Sequence, residues 1–165
     1  MMTPHQEQVT RAYEGARDDV YRYLLMLGIP PPQAEETAQE VFVRMYLALE
    51  NGDAIQSERA WIFRVARNLA IDQRRRKQPA PLDPELERRL HDTARGIESD
   101  LIERERMEEL ALAWSGLSPK QRECLHLRAE GLRYREIAES MGISISTVRE
   151  FLSRAITKLK RAVHE

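Results

Sequence analysis

The segment 132–161 holds the spacing that most restricts what this chain can fold into. Ile137, Ala138 and Met141 repeat at helical intervals, so a helix over Tyr134–Met141 can bury one face. Gly142 follows directly, where a helix that closes in the left-handed region favours glycine. Ile143 can plug the turn, and the Ser144 hydroxyl can cap a second helix by accepting from its backbone. On that second helix Val148, Leu152, Ile156 and Leu159 form one apolar stripe. Ile145, Ser146, Thr147, Arg149, Glu150 and Ser153 are left facing outward near its start. The pattern reads as a helix-turn-helix ending in a basic helix, whose first residues would reach base edges in a major groove. The other reading is a helical hairpin with a solvated basic face. Ala138, Gly142 and Val148 fall together where the tight turn needs them, which favours the first.

The formal net charge of −1 hides a strong segregation. Residues 1–58 hold four basic and ten acidic side chains, and residues 59–77 hold seven basic and one acidic. The balance turns acidic again over 82–110, with five against ten, and basic over 118–165, with ten against six. Two basic islands on acidic ground point to two polyanion contacts, with the remaining surface free to meet protein. A 42% hydrophobic content beside 32% charged residues is that of a folded, helix-rich chain rather than a disordered one. No apolar run reaches the roughly 18–20 residues that span a bilayer. The opening Met-Met-Thr-Pro-His-Gln-Glu-Gln lacks a secretory pattern, so the expected location is the cytoplasm.

Helical signals run along the whole chain and no strand signal appears. Val20, Tyr21, Leu24, Leu25 and Leu27 mark a first helix, stopped by Gly28 and the prolines at 30–32. A second runs from about Pro32 to Leu49 with Ala34, Ala38, Val41, Phe42, Met45, Tyr46 and Leu49 on one face. Asn51-Gly52-Asp53 breaks it, and Ser57 can cap a third carrying Trp61, Ile62, Val65, Ala66 and Leu69. Prolines at 79, 81 and 84 read as the start of a linker over 78–100, with room for a short helix at Pro84–Leu90. A loop that long favours two domains joined by a flexible tether, 10–77 and 101–162. In the second, Leu101–Trp114 is amphipathic, and Ser118-Pro119-Lys120-Gln121 is a capping box opening a helix to about Ala129. The fold class is all-α.

The first basic island is the more discriminating. From Ala60 to Lys77 it puts Arg64, Arg67 and Asn68 on one side of a helix, beside Trp61, Val65 and Leu69. With the small polar loop from Asn51 to Ser57, such a helix suits strand separation: arginines hold phosphates while a loop pocket takes an unstacked base. A core helix with a solvated arginine face, its basic end favoured by the helix dipole, fits the composition as well.

The run Gln33-Ala34-Glu35-Glu36-Thr37-Ala38-Gln39-Glu40-Val41-Phe42-Val43-Arg44-Met45-Tyr46, followed by Ala60-Trp61-Ile62-Phe63-Arg64-Val65-Ala66-Arg67-Asn68-Leu69-Ala70-Ile71-Asp72, resembles region 2 of bacterial sigma factors. Leu117-Ser118-Pro119-Lys120-Gln121-Arg122-Glu123 through Lys160 resembles their region 4. Order and spacing of the two blocks resemble the extracytoplasmic-function (ECF) sigma family over roughly 10–77 and 101–162. The resemblance implies a sigma factor that binds core RNA polymerase and directs initiation by recognising −10 and −35 promoter elements. Glu36, Gln39, Glu40 and Arg44 would dock on the β′ clamp helices. Asn51, Asp53, Ser57, Trp61, Arg64, Arg67, Asn68, Arg74, Arg75, Arg76 and Lys77 would recognise and melt the −10 element. Arg133, Ser144, Ser146, Thr147, Arg149, Glu150, Ser153, Arg154 and Lys158 would serve the −35 side, and that domain would meet the β flap. The linker would run toward the RNA exit path, and an anti-sigma factor is a further possible partner. Glu150-Phe151 departs from the Ser-Arg common in the family, removing a basic residue and placing an acceptor that can meet a cytosine amino group or repel phosphate. Glu36 stands where aspartate is frequent, with the same charge on a longer reach.

The remaining chemistry-bearing residues read as structure. A single cysteine, Cys124, falls on the inner face of its helix as an inert thiol. His5, His91, His126 and His164 have no ligand at metal spacing, so no metal and no cofactor are expected. Glu35, Glu36 and Glu40 lack a convergent partner for acid–base work, and Trp114 belongs in the second domain's packing. No enzyme constellation is present. Two rival functions stay open on sequence: a polymerase-independent regulator using the same helix-turn-helix, and a helical adaptor. If polymerase is absent, the tether would let the two domains close on each other.

Overall fold

A computed structural model of the chain describes residues 1–76 and 101–164. Among them lie seven helices: α1 (Pro4–Met26), α2 (Pro31–Glu50), α3 (Glu58–Arg76), α4 (Leu101–Ser115), α5 (Pro119–Ala129), α6 (Tyr134–Met141) and α7 (Ile145–His164). The expected linker over 78–100, its short helix, Lys77 and His91 lie outside the described residues.

Helix α1 begins sixteen residues before the first apolar stripe noted in sequence. Its start is a capping box: the Gln6 N–H donates to Thr3 Oγ1 at 3.2 Å and the Thr3 N–H to Gln6 Oε1 at 2.9 Å. The first three helices form a bundle. Val20, Tyr23, Leu24, Val41, Met45, Ile62, Phe63 and Ala66 are sealed inside it. Tyr23 meets Phe63 edge-on at 5.3 Å and Tyr13 meets Phe42 at 5.2 Å, the geometry the ring quadrupoles favour. Thr37, inside the same core, accepts from Gln73 Nε2 at 2.7 Å and so ties α2 to α3.

Of the other four helices, α4, α5 and α6 gather around α7 and each touches it. The Ser118 capping box forms as expected, with the Gln121 N–H donating to Ser118 Oγ at 3.1 Å and the reverse bond at 3.0 Å. Gly142 ends α6 at φ 67, ψ 35, a left-handed conformation that costs a residue with a Cβ but not glycine. The Ile143 N–H reaches back to the Ala138 carbonyl at 3.1 Å, and Ser144 Oγ accepts from the Thr147 N–H at 3.1 Å. The turn is built as its sequence reads. The stripe on α7 is corrected in one place: Val148, Leu152 and Ala155 are buried, whereas Ile156 is 39% exposed. The small Ala155 lets α7 approach its neighbours closely, and the stripe drifts around the helix because 3.6 residues per turn do not match steps of four.

The two bundles are closed on each other. One continuous buried cluster runs from Tyr23 and Phe63 to Cys124, Leu127 and Ile137, and α3 lies against α6.

Candidate nucleic-acid interface

On α3 the arginines separate by environment. Arg64 and Asn68 are exposed one turn apart, with Trp61 half-buried beside them. Arg67 turns the other way. Its Nε donates to Glu123 on α5, and its Nη1 donates to the Ser140 carbonyl on α6 at 3.2 Å. Thus the three residues that share a helix side in sequence do not share a surface here. The loop before α3 leaves Asn51, Asp53 and Ser57 exposed. It borders a cleft of about 220 Å³ lined by Ile55, Ser57, Trp61 and Arg64 on one wall, and by Arg135, Glu136 and Glu139 of α6 on the other. Arg74, Arg75 and Arg76 are exposed at the end of α3, where the helix dipole favours cations.

On α7 the outward set is open. Ser144, Ser146, Arg149, Glu150, Ser153, Arg154 and Lys158 are exposed and Thr147 is half-buried. The Ser144 hydroxyl lies 3.2 Å from that of Ser146 and 2.7 Å from that of Thr147, so these three hold one another's orientation at the helix start. Glu150 pairs with Arg154 one turn on at 2.7 Å. Farther along, Arg154, Lys158 and Arg161 line an open groove of about 350 Å³ with Gln121, Ser153 and Thr157. Arg161 was passed over in sequence, although its spacing of seven and three from Arg154 and Lys158 marks the shared face. Arg133 is exposed at the start of α6, its N–H donating to Glu136 Oε1 at 2.8 Å.

A third surface lies on α2. Glu36, Gln39, Glu40 and Arg44 are all exposed, with Arg44 Nε donating to Glu40 Oε1 at 3.1 Å. Val43 and Leu47 share that face at 53% and 52% exposure, so apolar area sits inside the polar field. Their signal in sequence was that they fall off the buried stripe.

The seam between the bundles is polar at its centre. The Tyr23 hydroxyl donates to Glu123 Oε1 at 2.9 Å, and the Arg67 guanidinium neutralises the same carboxylate. Burial, then the neighbouring Glu123 charge, holds the Tyr23 phenol well above its ordinary range. Arg59 reaches Glu130 and, at 3.2 Å, Asp19, while its Nε donates to the Glu130 carbonyl at 2.8 Å. Burial and then Asp19 raise the Glu130 carboxyl. His126 stacks on Tyr23 at 5.5 Å, and burial lowers it from 6.5 to about 4. Cys124 is buried and its thiol is pushed up to about 11 by burial, as befits an inert packing residue. Among the described residues no cluster of histidine, cysteine or carboxylate side chains is arranged to hold a metal ion, and no helix is long and apolar enough to cross a membrane.

Two family models match the chain in series, Sigma-70 region 2 over residues 12–79 and Sigma-70 region 4 over residues 107–159. The ECF RNA polymerase sigma factor SigM of Bacillus subtilis is 32% identical over 154 residues, spanning 92% of this chain and 93% of that protein. The chain belongs to the ECF RNA polymerase sigma factors. ECF sigma factor SigE of Mycolicibacterium smegmatis is 29% identical over 158 residues, covering 87% of this chain but 56% of the longer protein. In fold, this sigma factor is similar to RpoE of Bartonella quintana, solved with the anti-sigma factor NepR, at TM-score 0.61 and 21% identity over 95% of this chain and 97% of that one. It is also similar to CnrH, solved with the cytosolic domain of CnrY, at TM-score 0.59 and 22% identity over 94% and 87%. As a sigma factor it binds core RNA polymerase and promoter DNA and directs promoter-specific initiation. The two rival functions give way to this membership, since neither a free-standing regulator nor an adaptor carries region 2 ahead of region 4.

Proposed function

We propose that the three surfaces divide the work of initiation. The exposed face of α2, with Glu36, Gln39, Glu40 and Arg44 around Val43 and Leu47, docks on the β′ clamp helices of core polymerase. Its mixed character supports this, because apolar anchors within a charged rim make a better protein contact than a DNA contact. The loop 51–57 and α3 handle the −10 element: Arg64, Asn68 and Arg74–Lys77 hold the backbone, and the loop beside Trp61 receives an unstacked base. The start of α7 reads the −35 element through Ser146, Thr147, Arg149 and Glu150. Ser144, Ser153, Arg154, Lys158 and Arg133 set its register on phosphates. Residues 10–77 and 101–162 act as separate domains on the two elements, with 78–100 as the tether. The protein makes and breaks no covalent bond, uses no cofactor, and works in the cytoplasm. The anti-sigma complexes of its structural neighbours support a similar restraining partner here.

The observation that carries this reading is the exposure of Arg64 and Asn68 on the helix that follows the exposed loop 51–57. Transcription reconstituted from core polymerase, the sigma factor and a cognate promoter tests it. Alanine at Arg64 and Asn68 should abolish most open complex while leaving polymerase binding intact. Unchanged open-complex formation would refute the −10 assignment.

A further inference from the structure

We propose that Thr37 and Gln73 are positioning residues for promoter engagement: their side-chain bond fixes the basic last turn of α3 on α2, so that Arg74, Arg75 and Arg76 meet DNA phosphates in a set register. This rests on the reading of the end of α3 as a phosphate contact and adds to it the two polar residues that aim it.

Three observations converge on it. First, the apolar hold on α3 stops early. Ala70 is its last buried residue, Ile71 and Gln73 are half-buried, and Asp72, Arg74, Arg75 and Arg76 are exposed. The closing turn of a helix lacks intrahelical partners for its last carbonyls and frays, and adjacent guanidinium groups repel one another. Something other than burial has to hold that turn. Second, the Thr37–Gln73 bond goes beyond what Thr37 itself requires. Thr37 is 3% exposed, and its hydroxyl already donates to the Gln33 carbonyl at 2.7 Å, one turn back on its own helix. Such back-bonding satisfies a buried threonine without help. Having given its only hydrogen, the oxygen can only accept, which fixes the Gln73 amide with its nitrogen toward α2 at 2.7 Å. A valine at 37 would fill the same space, so what the hydroxyl adds is the strut to Gln73, directly before the arginines. Third, Arg74 is aimed by the same corner of the bundle. Its guanidinium carbon lies 3.9 Å from the point a Cβ on Gly28 would occupy, just past the end of α1, where Gly28 holds φ 91. The C-terminal end of a helix favours a cation. The closing turn of α3 is thus held by α2 on one side and by the end of α1 on the other. Because α2 also carries Glu36, Gln39, Glu40 and Arg44 on its exposed face, the strut sets the arginines at a fixed offset from that face.

The test uses holoenzyme assembled from core polymerase and the full-length chain on a cognate promoter. Promoter affinity is measured across salt, with affinity for core polymerase and thermal unfolding of the free chain followed separately. Thr37→Val and Gln73→Leu cut the strut from either side. Each is expected to weaken promoter binding by about five- to tenfold and to make the slope of log affinity against log salt shallower by about one, as a phosphate contact is lost. Affinity for core polymerase should not change. Thr37→Ser, which keeps the hydroxyl, should restore both readouts. The double variant should be no worse than either single one, since the two side chains act as a unit. Should Thr37→Val fail to fold, Gln73→Leu, at a half-buried position, decides alone. A merely structural role would lower the unfolding temperature and leave the salt slope alone; that result overturns the proposal, as do additive losses in the double variant. Arg74→Gln, Arg75→Gln and Arg76→Gln combined test the reading beneath it. If that variant flattens the slope while Thr37→Val and Gln73→Leu do not, the strut fails and the phosphate contact stands. If it leaves the slope unchanged, the phosphate contact fails and takes the strut with it.

Discussion

The two basic surfaces of this sigma factor are built from the same residue types and held in opposite states. The start of α7 presents its polar and basic side chains to solvent, with Glu150–Arg154 as a local pair between two exposed groups. On α3, Arg64 and Asn68 are free, whereas Arg67 and Arg59 are committed across the seam to carboxylates with 8% and 18% exposure. Exposed pairs on one helix are worth little, and solvent or DNA displaces them readily. Pairs inside a seam break only when the seam opens. The contrast is that the polar start of α7 is open in the closed chain, while Arg67 and Arg59 on α3 are held by the other bundle.

The largest effect expected is on α3. Arg64→Ala with Asn68→Ala should cut open-complex formation by at least about a hundredfold, as each lost charge-assisted contact is worth roughly 1.5–3 kcal/mol. Arg149→Ala should instead weaken promoter binding about tenfold and leave melting intact at saturating holoenzyme, since one base contact is worth roughly 1–3 kcal/mol. Permanganate reactivity of the −10 thymines, with binding followed separately, distinguishes the two. Equal melting defects in both variants would erase the division between the surfaces.

Acid should open the seam and leave α7 unaffected. His126 stacks on Tyr23, feels Asp19 and Arg22 of α1, and has the Glu130 carboxylate 3.6 Å from its Nε2. Burial lowers it from 6.5 to about 4, against the pull of Asp19. A depressed histidine costs nothing above 6.5, where both states are neutral. As pH falls from 6.5 toward 4, the open form takes a proton that the closed form refuses. The closed form then loses up to about 3 kcal/mol, following the linkage of 1.36 kcal/mol per unit. Glu130 works the other way, because its raised carboxyl favours the closed form as it protonates, but only at the lower end of that range. Scattering across pH 7 to 5 should show expansion that His126→Phe removes. Expansion unchanged by that substitution would assign it to another group.

What could be read in the sequence followed how local its physics is. Residues 132–161 announced their turn because a glycine, a cap and an apolar plug act on their immediate neighbours. The capping box at Ser118 was legible for the same reason. The start of α1 is not legible in the stripe, though Thr3, Pro4 and Gln6 spell a capping box, because the apolar residues that draw attention begin only at Val20. Ile156 was misplaced because steps of four do not stay on one face over three turns. On the candidate site, helix faces were legible but their partners were not. Arg64, Arg67 and Asn68 belong together by spacing, and only the fold shows that Glu123, 56 residues on, takes Arg67 from that set. Val43 and Leu47 were visible as residues without a place in the core, but an apolar residue off the stripe has a meaning only once its surface is seen.

Smaller effects probe how the α7 surface is supported. Gly142→Ala forces a Cβ into the left-handed region and should cost about 1–2 kcal/mol. Ser144→Ala removes the hydroxyl that caps α7 and should cost about 1 kcal/mol. Chemical denaturation should register both, and each should weaken −35 binding by loosening the angle at which α7 enters the groove. Closure of the two bundles should persist in both, because the turn contributes nothing to the Glu123 or Glu130 contacts. If the domains separated as well, the surfaces would be coupled through α6, and the contrast between an open surface and a held one would fail.

The subtlest change falls on Glu150. Its pair with Arg154 is 54% and 65% exposed, so Glu150→Gln should alter stability by less than about 0.5 kcal/mol. DNA binding should respond differently. With the carboxylate gone, Arg154 no longer has a competing partner and can neutralise one more phosphate, so the slope of log affinity against log salt should steepen by roughly one. If Glu150 instead accepts from a base, the same substitution should leave the slope alone and flatten the preference at a single −35 position. Affinity measured across salt on cognate and singly altered promoters separates these outcomes, and with them whether the acidic residue on α7 reads sequence or only restrains a neighbouring arginine.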